Sequence, residues 1–144
     1  MDEALAWTAK AAVAELITRY AALSDAGDWD ALAELYTEVG RMSRPTAPDA
    51  FISGRSAILA AFRSRPPRAS RHIVANILVT LEGDARAHAS SQILLFTGSA
   101  AEDARPPVQS TAPPLLGTFA DVLVKTAAGW RFAERRGSLD FRAP

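Results

Sequence analysis

The sequence contains no cysteine among its 144 residues. Disulfides, thiolate metal sites and a cysteine nucleophile are therefore excluded, and a reducing compartment suits the chain, so we expect a cytoplasmic protein. An uninterrupted run of about 18 apolar residues is also missing, which predicts that no helix spans a membrane. The acidic start Met1-Asp2-Glu3 and the charge of Lys10 differ from a secretory signal.

The sequence has no excess of charge of either sign, because 16 basic residues balance 16 acidic ones. No overall field attracts the chain to nucleic acid or to an anionic membrane, and we expect neither as a partner. Two histidines without cysteine make a poor zinc site. Neither a G-x-S-x-G motif nor a phosphate-binding loop is found. We therefore expect no metal and no cofactor.

The hydrophobic pattern changes from helical to strand-like along the chain. The length of the chain suits one domain over residues 1–144 with a core and an internal pocket. The pattern predicts helices over 5–24, 29–36 and 57–63, and strands over 39–43, 51–52, 71–82, 85–97, 116–126 and 130–141, with a long loop over 98–114. This order predicts an α+β fold in which a curved, mostly antiparallel sheet wraps around the N-terminal helices.

The end of the first predicted helix carries a phenol and a carboxylate, Tyr20 and Asp25. Tyr20 is either a core aromatic or a pocket residue. Asp25 is either a solvated acid or a functional one. A carboxylate is disfavoured at a helix C-terminus by several tenths of a kcal/mol, so its position calls for a compensating partner. Gly27 is expected to stop this helix, and Asp28 to cap the next one.

His72, near the start of the strand over 71–82, is the candidate partner of Asp25. Period two places a wholly apolar set on one face, as for packing, namely Ile73, Ala75, Ile77, Val79 and Leu81. The opposite face is mixed and consists of His72, Val74, Asn76, Leu78 and Thr80. That face suits a pocket lining, in which Asn76 would contact substrate. A carboxylate bound to one imidazole nitrogen fixes the tautomer and raises the basicity of the other. The alternative is a structural histidine held by a backbone carbonyl.

These three side chains suffice for cofactor-free proton transfer. A histidine oriented by an aspartate takes a proton from carbon or oxygen and returns it elsewhere. A tyrosine hydroxyl polarises a carbonyl or stabilises an enolate oxygen. Dehydration, isomerisation and aldol-type cyclisation need no more than this, and we predict Tyr20, Asp25 and His72 as the catalytic residues.

Other polar residues leave alternatives open. Asp121 shares a strand face with Phe119, and is either a pocket residue or the partner of Arg135 or Arg136. Trp29 anchors the second helix and is a further candidate for substrate contact, with Phe119 and Asp121. The second histidine, His88, lies on a face typical of solvent or of an interface. A basic cluster is either a solvated loop or an anion or partner patch, and consists of Arg63, Arg65, Arg68 and Arg71.

Taken together, these segments resemble the SnoaL-like branch of the NTF2-like superfamily. The matching pieces cover most of the chain and are Arg19-Tyr20, Asp25-Ala-Gly-Asp28-Trp29-Asp30, Gly54-Arg55-Ser56-Ala57-Ile58, Arg71-His72-Ile73-Val74-Ala75-Asn76, Gly117-Thr-Phe119-Ala-Asp121 and Gly129-Trp130-Arg131-Phe132. The resemblance implies a cone-shaped α+β barrel with a deep pocket, assembled as a homodimer or homotrimer.

Within that superfamily the pattern is similar to scytalone dehydratase and bile-acid dehydratase. The resemblance places the catalytic aspartate at Asp25, the catalytic histidine at His72 and the helix tyrosine at Tyr20. The second tyrosine and the second pocket histidine or acid of those enzymes have no clear counterpart here. Arg41, Ser43 and Arg44 stand where the family tends to be apolar or aromatic.

The leading hypothesis is therefore a lyase or isomerase, dehydratase- or cyclase-like, for a small cyclic, aromatic or polyketide-like molecule. Two alternatives are a structural partner like the β-subunits of aromatic-ring dioxygenases, which share the fold, and a small-molecule binder without chemistry.

Overall fold

The computed structural model describes residues 1–101 and 105–142. Within this part of the chain, the three helices are α1 (Glu3–Ala26), α2 (Trp29–Ala33) and α3 (Arg55–Arg63). The six strands are β1 (Tyr36–Arg44), β2 (Ala47–Ser53), β3 (Ala69–Glu82), β4 (Arg86–Gly98), β5 (Leu115–Thr126) and β6 (Gly129–Leu139). The predicted loop over 98–114 falls between β4 and β5, although residues 102–104 lie outside the described residues. The α+β class predicted from the sequence is confirmed.

Both ends of helix α1 are determined by residues close to them in the sequence. The Asp2 side chain caps its start by accepting a hydrogen bond from the Leu5 N–H at 2.8 Å. Gly27 closes it in the left-handed conformation, with φ of 68°, as the sequence predicted. The helix extends two residues beyond its predicted end, so Asp25 lies within its last turn. Its direction is therefore fixed by the helix and not by a loop.

The segment after α2 differs from the prediction. We expected one helix over 29–36, but α2 ends at Ala33 and Tyr36 begins β1. The N–H of Phe132 donates to the carbonyl of Leu35 at 2.8 Å, which draws the chain into the sheet. Tyr36 then pairs with Phe132 in a parallel ladder. Tertiary pairing thus overrides a local helical pattern of only two turns.

The six strands form one sheet in the order β2-β1-β6-β5-β4-β3. The pairing of β1 with β6 is parallel, and the other pairs are antiparallel. The inner face packs against α1 in a core that includes Val13, Ile17, Leu123 and Phe132, each fully buried. In the described part of the chain, no helix is both long and apolar enough to cross a membrane.

A bulge in β3 makes one part of the sequence prediction wrong. Asn76 has a positive φ of 53°, and the register with β4 shifts between Ala75 and Leu78. The face that starts with His72 and Val74 therefore continues through Ile77 and Val79, which pack against the core, while Leu78 is exposed. Period two holds up to the bulge and reverses after it, because an extra residue flips every later side chain.

Candidate active site

A pocket of about 820 Å³ opens where α1 ends. The antiparallel register brings the start of β3 and β5 to the same edge of the sheet as the ends of β4 and β6. Helix α1 contributes its last two turns there, and the chain after α3 forms another wall. Residues lining this space include Tyr20, Asp25, Trp29, His72 and Phe119. A volume of this size fits a drug-sized ligand.

Asp25 and His72, 47 positions apart in sequence, are in direct contact at the pocket wall. The His72 Nδ1 lies 2.5 Å from Oδ1 of Asp25. The same carboxylate accepts the His72 backbone N–H at 2.9 Å and the Ser70 hydroxyl at 3.0 Å. Three donors on one carboxylate compensate the unfavourable end of the α1 dipole. Both side chains are nearly buried, at 12% and 11% exposed.

This contact assigns the two ring nitrogens of His72 different roles. A carboxylate only accepts hydrogen bonds, so Nδ1 carries the proton and Nε2 carries the free lone pair. Among the described residues, Nε2 has no hydrogen-bond partner. Burial lowers the pKa of the imidazole below its ordinary 6.5, although the hydrogen bond and charge of Asp25 act in the opposite direction. His72 is thus neutral at neutral pH and able to act as a base.

Tyr20 shares the pocket with His72, and its hydroxyl lies 2.9 Å from the hydroxyl of Tyr36. The two rings meet edge to face, with centroids 5.9 Å apart. Burial raises the pKa of both phenols above their ordinary 10. Both remain protonated at neutral pH, so the pair always has a proton to donate. Tyr36 is fully buried and lies behind Tyr20, where it fixes the position of the Tyr20 hydroxyl.

A buried ion pair lies behind the tyrosines. Nε of Arg135 donates to Oδ1 of Asp121 at 3.0 Å, and both side chains are at most 2% exposed. The guanidinium carbon lies 4.3 Å from the Tyr20 ring centroid and 3.9 Å from that of Phe119. Burial raises the pKa of the Asp121 carboxyl to about 6, against the lowering effect of Arg135. Asp121 remains charged at neutral pH and fixes the cation under the two aromatic rings.

The sequence profile of the SnoaL-like domain family matches residues 6–136. The chain belongs to this family. No curated protein matches it.

Solved structures share the fold of this SnoaL-like protein. An NTF2-like protein with a cystatin-like fold from Novosphingobium aromaticivorans is 26% identical, with 95% of this chain and 85% of that chain covered and a TM-score of 0.76. A scytalone dehydratase-like protein from the same organism is 20% identical, with 99% and 94% covered and a TM-score of 0.79. An aromatic ring hydroxylase-like protein, also from that organism, is 16% identical, with 94% and 91% covered and a TM-score of 0.78. The architecture is that of the NTF2-like cone.

The SnoaL-like pocket contains most of the predicted site residues but not all. Tyr20, Asp25 and His72 line it together, as do Trp29 and Phe119. Trp29 stacks on Phe62, with ring centroids 5.1 Å apart. Asp121 is buried as the partner of Arg135, which decides between the two alternatives left by the sequence.

Asn76 lies away from this pocket. It is exposed at the bulge of β3, and it does not line the cavity. Its left-handed backbone suits asparagine, which adopts positive φ more readily than most residues. We therefore correct the expectation that Asn76 contacts substrate and assign it to backbone geometry. His88 is also distant, exposed and hydrogen-bonded to Glu82 at 2.9 Å.

The sequence pattern did not indicate Tyr36, which lies behind the pocket, or Ser70, which lines it. Tyr36 was assigned to a helix, although a second aromatic hydroxyl following a helix stop is a usable signal. Ser70 gave no signal, because its role depends on the register of β3 against α1. Of the basic cluster, Arg63, Arg65 and Arg68 line the pocket, together with Arg44 from the end of β1.

Proposed function

We propose that this SnoaL-like protein is a cofactor-independent lyase or isomerase, dehydratase- or cyclase-like, for a small cyclic, aromatic or polyketide-like substrate. The observation that carries the proposal is the His72–Asp25 contact at the pocket wall, with Nε2 of His72 free of any hydrogen bond to the described residues. A neutral imidazole whose tautomer is fixed by a carboxylate is suited to proton abstraction.

In the proposed reaction, Nε2 of His72 takes a proton from the carbon next to a substrate carbonyl. Asp25 holds the imidazole in the reactive tautomer and stabilises the imidazolium that forms. The Tyr20 hydroxyl donates to the carbonyl oxygen as it becomes an enolate oxygen. In a dehydration, the enolate expels a β-hydroxyl group, which leaves as water with the proton from His72. In an isomerisation or cyclisation, the same proton returns elsewhere.

The likeness to a scytalone dehydratase-like protein supports this chemistry as a family expectation. We propose further that the protein acts as one domain over residues 1–144, and as a homodimer or homotrimer in the cytoplasm. We expect neither nucleic acid nor a membrane as a partner.

Proton exchange tests the base without knowledge of the natural substrate. A panel of cyclic ketones and cyclic β-hydroxyketones in D₂O is followed by NMR for loss of the α-proton and for elimination of water. We expect catalysed exchange or elimination with the wild-type protein and loss of it in His72→Asn. The matched control is His88→Asn, which alters the exposed histidine and should retain full activity. Exchange that survives His72→Asn at the wild-type rate would refute the proposal.

The alternative of a non-catalytic partner of a ring-hydroxylating enzyme is favoured by one likeness, that to an aromatic ring hydroxylase-like protein. Under this alternative, no compound in the panel would exchange, and the protein would form a stable hetero-oligomer on co-expression with an iron–sulfur α-subunit. A binder without chemistry would bind ring compounds and exchange none of them.

A further inference from the structure

Four arginines line the same pocket as His72 and Tyr20, and one of them, Arg63, forms an ion pair with Asp30. The other three are Arg44, Arg65 and Arg68. Arg44 ends β1, Arg65 follows α3, and Arg68 precedes β3. Arg44 from the end of β1 thus meets Arg65 and Arg68, which share the segment between α3 and β3, at one cavity. The charge is local, because the chain as a whole is neutral.

These three positive charges are not balanced within the described part of the chain. Seven other arginines form ion pairs there, namely Arg19, Arg41, Arg55, Arg63, Arg86, Arg135 and Arg136. Arg44, Arg65 and Arg68 form none. Among the described residues, Asp25 is the one carboxylate that lines the pocket, and it is already bound to His72 and Ser70.

Two of the guanidinium groups lie in energetically unfavourable surroundings. Nε of Arg44 is buried and has no hydrogen-bond partner within residues 1–101 and 105–142. The guanidinium of Arg65 is half-buried and stacks on the Phe62 ring at 4.1 Å from its centroid. Burial lowers the pKa of Arg65 to about 10, and the charges of Arg44 and Arg68 act in the same direction. An unsatisfied donor and neighbouring like charges both cost free energy that a bound anion would recover.

We propose that the substrate is an anion, whose carboxylate or phosphate ester is bound by Arg44 and Arg65 with Arg68 at the rim. Planar guanidinium groups bind such oxyanions through paired, charge-assisted hydrogen bonds. The ring of the substrate then lies in the rest of the cavity, among Trp29, Phe62 and Phe119, and reaches His72. This assignment of the substrate class rests on the proposed function, but binding of the anion does not depend on turnover.

Calorimetric titration of the protein with three probes that share one ring system separates the effect of charge from the effect of shape. The probes are 2-naphthoate, its neutral methyl ester and 2-naphthyl phosphate. We expect at least one anion to bind about tenfold or more tightly than the ester, as charge-assisted hydrogen bonds predict. A tighter complex with the phosphate assigns a phosphate ester, and a tighter complex with 2-naphthoate assigns a carboxylate.

Variants identify the groups responsible. Arg44→Gln and Arg65→Gln should each lose most of the preference for the anion, while the affinity for the ester changes less than about twofold, which shows that the pocket is intact. Arg68→Gln, exposed at the rim, should lose less. The matched control is Arg71→Gln, an exposed arginine on β3 that does not line the pocket and should keep the full preference.

The proposal is overturned if the ester binds as tightly as both anions, if no probe binds, or if the preference survives in both Arg44→Gln and Arg65→Gln. Loss of the preference in Arg71→Gln also overturns it, because that would indicate a general field. The same titrations on His72→Asn should keep the anion preference. Failure of the proton-exchange test with the preference intact would refute the catalytic proposal alone.

Discussion

The Nδ1 of His72 lies 2.5 Å from Oδ1 of Asp25, and the other oxygen of that carboxylate accepts the His72 backbone N–H at 2.9 Å. One aspartate thus fixes both the ring and the backbone of the same histidine. Its position in the last turn of α1 couples the helix to the first residues of β3. The contact therefore has a structural and a chemical consequence, and each is testable.

Replacement of Asp25 by asparagine should separate these consequences. Asp25→Asn keeps the shape but removes the charge and one acceptor, so the tautomer of His72 is no longer fixed. We expect turnover to fall about a hundredfold or more and the free energy of unfolding to fall by about 1–3 kcal/mol. Steady-state kinetics and urea unfolding measure the two effects. Unchanged turnover would show that Asp25 serves the fold alone.

The pH dependence follows from the lowered pKa of His72. The base is active when neutral, so kcat/KM should rise with pH through an apparent pKa below 6.5 and stay level at neutral pH. Because Asp25 raises this pKa, Asp25→Asn should shift the rise to still lower pH. NMR titration of the two histidines, assigned with His88→Asn, provides an independent measurement. A profile that rises only above pH 6.5 would contradict the burial argument.

The same pKa shift predicts how stability depends on pH. A lowered imidazole pKa means that the folded protein binds this proton less readily than the unfolded chain. The contribution of His72 is therefore complete above pH 6.5 and is lost as pH falls through the folded-state pKa. Asp121 acts in the opposite sense, since its pKa is raised from 3.8 to about 6. The difference in unfolding free energy between wild type and His72→Gln, measured across pH 4–8, isolates the histidine.

The buried pair of hydroxyls, Tyr20 and Tyr36, predicts an energetic coupling. Tyr36→Phe leaves the Tyr20 hydroxyl without its partner and free to rotate, so we expect a loss of about 1 kcal/mol in stability and a lower kcat with little change in KM. In a double-mutant cycle with Tyr20→Phe, the coupling free energy should be about 1 kcal/mol. Additive effects on both stability and kcat would show that the hydroxyls act independently.

The Arg135–Asp121 pair should be sensitive to removal of one partner. Asp121→Asn leaves a fully buried guanidinium without its counter-charge, and we expect a loss of about 3–5 kcal/mol in unfolding free energy. The double variant Asp121→Asn/Arg135→Met should recover part of that loss, since no unpaired charge remains. Urea unfolding measures both. A double variant less stable than Asp121→Asn would mean that packing of Arg135 on Tyr20 and Phe119 outweighs its charge.

Asn76 offers a test of the corrected assignment. Its positive φ is readily adopted by glycine and poorly by a branched residue, so Asn76→Gly should be nearly neutral and Asn76→Val should cost about 1–2 kcal/mol. Neither change should alter KM, because Asn76 does not line the pocket. A KM that rises in Asn76→Gly with unchanged stability would restore Asn76 as a substrate contact.

The sequence by itself determined the local features of this protein. The alanine-rich helix with its stop at Gly27, the cap at Asp28 and the change to strand periodicity depend on residues near one another in the chain, so α1, the start of α2 and the long strands follow from pattern. The position of Asp25 near a helix C-terminus also indicated that it needed a partner, because a carboxylate there is unfavourable without one.

Only the tertiary structure decided the rest. Tyr36 lies in a strand and not in the predicted helix because β6 supplies a strand partner. Asn76 does not lie on the predicted face because a bulge reverses the alternation of β3. Asp121 on β5 pairs with Arg135 on β6, and Arg44 from β1 meets Arg65 and Arg68 from the segment between α3 and β3 at one pocket. Such contacts depend on register and on sheet curvature, which arise from long-range packing and leave no periodic signal in the sequence.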